Sequence, residues 1–444
     1  MPIIQRPCYL QRLVAAKHNG AVKIVTGIRR SGKSFLLFRL FKEHLLDSGV
    51  SPDHILEVDL EQADLTLRNP SELRKHIEGR IIRDGKWTYV LIDEIQMCDK
   101  ILRSDIDIER LHPDYRDNAY LTFYNTLSGL KSIPKVDVYV TGSNSRMLVS
   151  DVATEFRGRG DVVHVYPLSF AEFCQTREPI SDLNVAVREY LMYGGLPECT
   201  LREGESAKRD YLRNLCRTIY IRDVEERHRI VNTALLEKVF DTVMSNVGGL
   251  TNPNKLANAI STAGGIAANN VTVSKFLDYL ESAFIIEKAR RYDVKGRHYL
   301  DSPVKYYACD TGIRNVHMNF RQYEPTHLME NTIYNELVRR GYSVDVGVNT
   351  ISTTRKGIRE KRQYEIDFVV NRFSERIYIQ SAWMIPDEEK RKQETFSLAH
   401  THDGFRKIVV TGDPYEKPWM SEDGITFMGL VPFLREPRSI ETLC

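Results

Sequence analysis

The feature that most constrains this chain is the octet Gly27-Ile28-Arg29-Arg30-Ser31-Gly32-Lys33-Ser34. The run Lys23-Ile24-Val25-Thr26 leads into it, and an amphipathic stretch from Ser34 to about Leu46 follows. A strand, a glycine loop and a helix in that order make a phosphate cradle. The glycines let backbone N–H groups turn towards anionic oxygens, at a helix N-terminus whose dipole favours negative charge. The octet therefore predicts that residues Gly27 to Ser34 bind ATP. Lys33 is placed to reach the β- and γ-phosphates, and Ser34 to ligate Mg2+.

A second segment supports the first. The apolar run Tyr89-Val90-Leu91-Ile92 ends in Asp93-Glu94, which puts two carboxylates at the exposed end of a buried strand. Asp93 is expected to hold the magnesium through its water shell. Glu94 is expected to polarise an attacking water as a general base. A third run, Val138-Tyr139-Val140-Thr141, enters Gly142-Ser143-Asn144-Ser145, where Ser143 and Asn144 are both candidates to orient that water. Arg157-Gly158-Arg159-Gly160 follows. A guanidinium supplied by a neighbouring subunit can stabilise charge on a transferring phosphate, so Arg157 and Arg159 are candidate fingers.

Composition narrows the class only at its edges. A chain of 444 residues is too long for one ordinary core, and its net charge of +2 makes any nucleic-acid surface a local matter. The seven cysteines are scattered, with no Cys-x-x-Cys pair, which argues against a common zinc ribbon and suits a reducing compartment. No stretch approaches the roughly eighteen apolar residues of a membrane span, so a cytoplasmic, non-membrane protein is expected.

Residues 1–165 alternate strand-like and helix-like segments and read as an α/β nucleotide-binding core. Residues 166–229 read as helical, broken at Tyr193-Gly194-Gly195-Leu196-Pro197, where glycines and proline force a turn. From 230 to 324, helices are expected at Leu236–Asn246, Asn254–Thr262 and Val273–Ser282. The strand-like pieces Phe284–Lys288 and Lys305–Cys309 come next. Three helices and a hairpin is the order of a winged helix. Residues 325–444 read as helix, three strands, helix, strand.

Taken together, the motifs resemble the bacterial and archaeal AAA+-type ATPases that carry a C-terminal DUF4143 region. The resemblance rests on the octet, on Leu91-Ile92-Asp93-Glu94-Ile95-Gln96, on Thr141-Gly142-Ser143-Asn144-Ser145-Arg146-Met147-Leu148, and on Glu155-Phe156-Arg157-Gly158-Arg159-Gly160. It extends to Pro167-Leu168-Ser169-Phe170-Ala171-Glu172-Phe173, Tyr193–Pro197 and Tyr334-Asn335-Glu336-Leu337. It implies an α/β fold with a P-loop AAA+ core, a helical lid, a winged-helix domain and a restriction-endonuclease-like C-terminal domain. It also implies an oligomeric ring, a hexamer being favoured, in which one subunit completes the ATP site of the next.

Within 325–444, Glu336, Asp367 and Gln380 resemble an endonuclease core that needs a lysine two residues after Gln380. That position is Ala382, which cannot supply the charge, so cleavage is not expected. DNA remains an expected partner. Lys288, Arg290, Arg291, Lys295, Arg297 and Lys305 interleave with Tyr292, His298 and Tyr299, and a second basic loop spans Thr354–Gln363. The helix Val273–Ser282 sets Lys275 against Asp278 and Glu281, which favours backbone or shape recognition over base reading. The motifs predict an ATP-hydrolysing machine that moves or remodels DNA, or alternatively a nucleotide-gated switch for defence or signalling that assembles with a protein partner.

Overall fold

The short apolar runs become parallel strands in the computed structural model. It describes residues 3–441 apart from 104–105, 111, 113–115, 117–118, 144–159, 178, 181, 265–266, 322 and 356–357. The chain divides into two units, one of residues 3–166 with 282–284, the other of 167–281 and 285–444.

The first unit is built on β1 (Val22–Thr26), β2 (Ile55–Asp59), β3 (Thr88–Asp93), β4 (Val136–Gly142) and β5 (Gly160–His164). They form an all-parallel sheet in the order β2-β3-β4-β1-β5. Every residue of β1, β3 and β4 is buried, the state expected of strands covered on both faces. On one face Val22, Ile24, Val90, Ile92, Val138 and Val140 pack with Leu73 and Ile77 of helix Pro70–Glu78, and with Leu127 and Leu130 of helix Phe123–Lys131. On the other, Val25, Leu91 and Tyr139 pack with Leu36, Leu37, Leu40 and Phe41.

Those four residues lie on the helix that leaves the glycine loop. It runs through Lys33–Phe35, a π-helical turn Leu36–Phe41, and Lys42–Asp47. Each buried side chain contributes about 1.5–3 kcal/mol, so the helix is fastened to the sheet immediately behind its own N-terminus. The one basic residue of β1, Lys23, is fully buried and ion-paired with Asp137, which also accepts from Tyr139 Oη at 3.0 Å.

In the second unit the expected turn is present between helices Leu183–Tyr193 and Pro197–Thr200. Gly194 has φ 74°, and a Cβ there would lie 1.9 Å from Asp310 Oδ1. Asp310 accepts from the N–H groups of Gly195 at 2.7 Å and Gly312 at 2.9 Å, so one carboxylate ties the turn to the start of helix Thr311–His317.

Helices Thr233–Ser245, Pro253–Gly264 and Asn270–Ser282 occupy the three expected stretches. The nine strands of this unit are β6 (Leu250–Thr251), β7 (Ile286–Asp293), β8 (His298–Ala308), β9 (Ser343–Arg355), β10 (Ile358–Arg372), β11 (Glu375–Ala382), β12 (Arg406–Thr411), β13 (Trp419–Met420) and β14 (Ile425–Gly429). They make one mixed sheet, β13-β14-β12-β11-β10-β9-β7-β8-β6. The hairpin β7–β8 joins the later strands because β7 pairs in parallel with β9 through Arg291↔Val346, Tyr292↔Gly347 and Asp293↔Val348.

Two differences from the sequence reading stand out. The stretch Thr354–Gln363 was expected as a basic loop, yet β9 and β10 pair through it, with Ser352 opposite Lys361 and Ile351 opposite Arg362. Lys361, Arg362 and Gln363 are all exposed at successive positions of β10, so charge on this stretch does not end the strand. The strand β14 was also not anticipated. Among the described residues no helix is long and apolar enough to cross a membrane.

Candidate functional site

Register aligns the carboxyl ends of four strands. Asp59 of β2 lies opposite Asp93 of β3, Ile92 opposite Val140, and Val25 of β1 opposite Thr141 of β4. Ligands of open parallel sheets gather at that edge. The glycine loop leaves β1 there, with Gly27 at φ 141° and Gly32 at φ 94°. A Cβ at Gly27 would lie 2.2 Å from the carbonyl oxygen of Val165, so only glycine passes beneath the residue that follows β5.

The buried Lys33 donates from Nζ to the carbonyl oxygens of Gly27 and Ile28, each at 3.1 Å. Its ammonium is thus folded back over its own loop. Ile28 and Ser31 are buried, Arg29 half-buried, and Arg30 exposed at φ 67°. The hydroxyl Ser31 Oγ is buried with no hydrogen-bond partner. A cradle that admits no Cβ and an unmet buried hydroxyl fit an incoming group rich in acceptors.

Asp93 is buried and accepts hydrogen bonds from Thr141 Oγ1 and from the Ser34 side chain. Burial raises its pKa, with help from Glu94 and Asp59, while the two hydroxyl hydrogen bonds oppose the rise. Ser34 and Asp93 offer oxygen ligands of the hard kind magnesium takes. Glu94 sits at φ 50°, and its N–H donates to the same Thr141 hydroxyl at 3.0 Å. Its Oε2 accepts from Gln96 Nε2, which also donates to Ser143 Oγ at 3.3 Å.

Behind the loop, Thr26 Oγ1 lies 3.2 Å from His164 Nδ1. Burial, with the nearby charges of Lys33 and Arg12, lowers the His164 pKa to about 3, so the imidazole is neutral. Arg6 reaches in from the N-terminal segment, donating to the carbonyls of Ser31 at 2.9 Å and Tyr166 at 2.8 Å, with its guanidinium 4.5 Å from the Tyr9 ring centroid.

The structure therefore brings Gly27–Ser34, Asp93, Glu94 and Ser143 together. Asn144, Arg157 and Arg159 lie outside the described residues. Thr141, Gln96 and Arg6 were missed by sequence reasoning. The final position of an apolar strand signalled Thr141, and the Asp93-Glu94-Ile95-Gln96 run signalled Gln96; nothing local signalled Arg6.

Of the expected trio in the second unit, Asp367 and Gln380 meet, while Glu336 is held by Arg339 and Arg340. Burial would raise the pKa of Glu336, but Arg339 and Arg340 outweigh it and hold the carboxyl below the usual range; Arg340 Nε lies at 2.6 Å. Asp367 accepts from the Ser381 N–H at 2.8 Å, and its own N–H donates to Gln380 Oε1 at 3.4 Å. Its pKa is raised by burial and by Glu330. The helix acid near Asp367 is Glu330, which accepts from Lys305 Nζ at 2.9 Å and Tyr307 Oη at 2.8 Å, and Lys305 also pairs with Glu365 at 2.6 Å. Lys305, expected among the DNA-facing cations, is buried. Ala382 is buried at the strand end.

A family model described as an AAA domain matches residues 19–174. A model described as a domain of unknown function, DUF8612, matches residues 184–324, the stretch read from the sequence as lid and winged helix, whereas DUF4143 had been expected over 325–444. An uncharacterized protein of Haemophilus influenzae is 32% identical over 439 residues, covering 97% of this chain and 98% of its own. One of Methanocaldococcus jannaschii is 25% identical over 359 residues, covering 79% and 72%. Among solved structures, the Walker-type ATPase PABY2304 of Pyrococcus abyssi matches with a TM-score of 0.47 at 15% identity, over 71% of this chain and 96% of that one. The chain belongs to the same family as the Haemophilus influenzae protein, and in this chain the segment matched by the AAA domain model precedes the one matched by DUF8612.

Proposed function

We propose that this chain is an ATPase that converts ATP and water to ADP and phosphate, and that it works on DNA as an oligomeric ring, a hexamer being favoured. The observation that carries the catalytic reading is the junction of Ser34, Asp93 and Thr141 beside Lys33 at one sheet edge. In this reading the N–H groups of Gly27–Ser34 hold phosphate oxygens, and Ser31 adds a hydroxyl. Lys33 exchanges two loop carbonyls for the β- and γ-phosphates. Ser34 and Asp93 hold the magnesium, which when bound neutralises phosphate charge. Glu94 accepts the proton of the attacking water, and Ser143 or Asn144 orients that water. Arg157 or Arg159 of a neighbouring subunit faces the γ-phosphate. Lys33→Ala abolishes nucleotide binding in this account, whereas Glu94→Gln binds ATP and barely turns over. Normal turnover in Glu94→Gln would overturn it.

We read residues 1–165 as the ATPase core, 166–229 as a lid, 230–324 as a winged helix and 325–444 as a nuclease-like domain that does not cleave. Three helices followed by β7 and β8 support the winged helix. Exposed Lys288, Arg290, Lys295 and Arg297, with the exposed Tyr299, support a backbone-directed DNA surface. In the nuclease-like domain Ala382 carries no charge, and Lys305, which reaches its carboxylates from the preceding segment, is committed to Glu330 and Glu365. Six described cysteines are free thiols, which suits the cytoplasm. The full-length protein assayed over duplex, single-stranded and branched DNA should hydrolyse ATP faster with at least one of them. Unchanged rates, with no binding at low salt, would remove DNA from the reading.

A further inference from the structure

Glu94 is fixed at its backbone but depends on one other residue for the placement of its carboxylate. The N–H is pinned to Thr141 at 3.0 Å, and the 3-10 turn Ile95–Met97 begins immediately after it, with the Met97 N–H donating to the Glu94 carbonyl at 2.8 Å. That tight turn swings Gln96 back towards residue 94. Its Nε2 donates both to Glu94 Oε2 and to Ser143 Oγ, the latter at 3.3 Å across to the end of β4. The amide orientation follows from chemistry, because the opposite flip would set a carbonyl oxygen against a carboxylate. Gln96 Oε1 is meanwhile buried with no hydrogen-bond partner. The side chain therefore gives up its acceptor to keep its donor on Glu94, and its own hydrogen bonding does not explain its place.

We propose that Gln96 is a positioning residue for ATP hydrolysis, clamping the Glu94 carboxylate to the end of β4 through Ser143. This rests on reading Glu94 as the base. A carboxylate free to rotate about its side-chain torsions spends much of its time aimed away from the water. One held at both backbone and oxygen does not, and small misplacements of a reacting group cost up to about a hundredfold in rate. The two hydrogen bonds of Gln96 go to Glu94 and Ser143, so it should act on turnover and leave nucleotide binding alone.

The test is steady-state ATPase activity of the full-length protein, with nucleotide affinity and thermal midpoint measured alongside. Gln96→Ala should lower kcat about tenfold to a hundredfold, with KM, ATP affinity and midpoint unchanged. Gln96→Glu, which keeps the shape and removes the donor, should lose at least as much turnover and serves if the alanine variant folds poorly. Ser143→Ala should also lower kcat, and its further cost in the Gln96→Ala background should be smaller than its cost in the wild type. Gln96→Ala placed on Glu94→Gln should cost nothing more. Loss of turnover in Glu94→Gln with wild-type or faster kcat in both Gln96 variants would overturn the clamp and leave the base intact. A parallel loss of ATP affinity or midpoint in both would make Gln96 structural and also overturn it. Wild-type turnover in Glu94→Gln would instead remove the base reading itself.

Discussion

The guanidinium of Arg6 donates to the carbonyl oxygen of Ser31 at 2.9 Å, fastening the glycine loop from outside the sheet. A second donation, to Tyr166 at 2.8 Å, ties the same side chain to the segment that follows β5. Val165 of that segment caps Gly27, so Arg6 closes a ring around the loop. Hydrogen bonds from a charged donor are each worth about 1.5–3 kcal/mol. Arg6→Ala should therefore lower the thermal midpoint and raise the KM for ATP. Arg6→Lys should recover little, since one ammonium cannot reproduce two forked contacts. A KM within twofold of wild type in Arg6→Ala would show that the loop holds its shape unaided.

Thr141 serves two neighbours with one hydroxyl, donating to Asp93 and accepting from the Glu94 N–H. Thr141→Val keeps the branched shape and removes both bonds. A buried N–H left unpaired costs about 1–3 kcal/mol, and Asp93 loses a donor that opposes the rise of its pKa. The expected outcome is a midpoint drop together with a higher magnesium requirement, measured by titrating Mg2+ at fixed ATP. An unchanged magnesium dependence would leave Thr141 with a structural role only.

Asp310 gives the second unit a pH signature. Burial raises its pKa to about 6, although four backbone N–H groups hold it down. The unfolded chain, near 3.8, ionises first as pH rises, so the folded state loses stability from about pH 4 to 6 and is level above that. Two pKa units correspond to about 3 kcal/mol. Asp310→Asn lacks this titration, so the stability difference between wild type and variant should shift in the variant's favour as pH climbs through that window. Urea unfolding at pH 4.5 and pH 7 measures it. A difference that does not vary with pH would place the Asp310 carboxyl at its ordinary pKa.

Much of the first unit was legible because its signals are local. A strand buried on both faces reads as an unbroken apolar run, and the polar residue that ends it marks the functional edge, as at Thr26, Asp93 and Thr141. Distant partnerships were not legible. Arg6 meets Ser31 and Tyr166 only after the sheet has closed. Glu336 and Glu330 lie on the same helix, and sequence spacing alone does not say which faces β8 and β10. Helical rotation decides it, giving Glu336 to Arg339 and Arg340 and Glu330 to Lys305. The basic stretch Lys288–Lys305 likewise mixes two fates, since a hairpin sends its tip to water and its far end into the core.

Lys305 separates those fates by experiment. Its ammonium is buried between Glu330 and Glu365, with Asp367 adding a third negative neighbour that raises its pKa against the effect of burial. Lys305→Met removes the cation and leaves the buried Glu330 and Asp367 without it, a break that typically costs about 3–5 kcal/mol. The thermal midpoint should fall sharply at pH 7 and recover in part at lower pH, where the orphaned acids take up protons. Arg290→Ala, by contrast, removes an exposed cation that lies over the Tyr299 ring at 4.1 Å, and should leave the midpoint near wild type. If β7 and β8 face DNA, affinity should fall in Arg290→Ala with a shallower salt dependence, while a folded Lys305→Met at permissive temperature keeps wild-type affinity. The reverse pattern, stability lost with Arg290 and DNA affinity lost with folded Lys305→Met, would mean that the two cations had been assigned to the wrong sides of the hairpin.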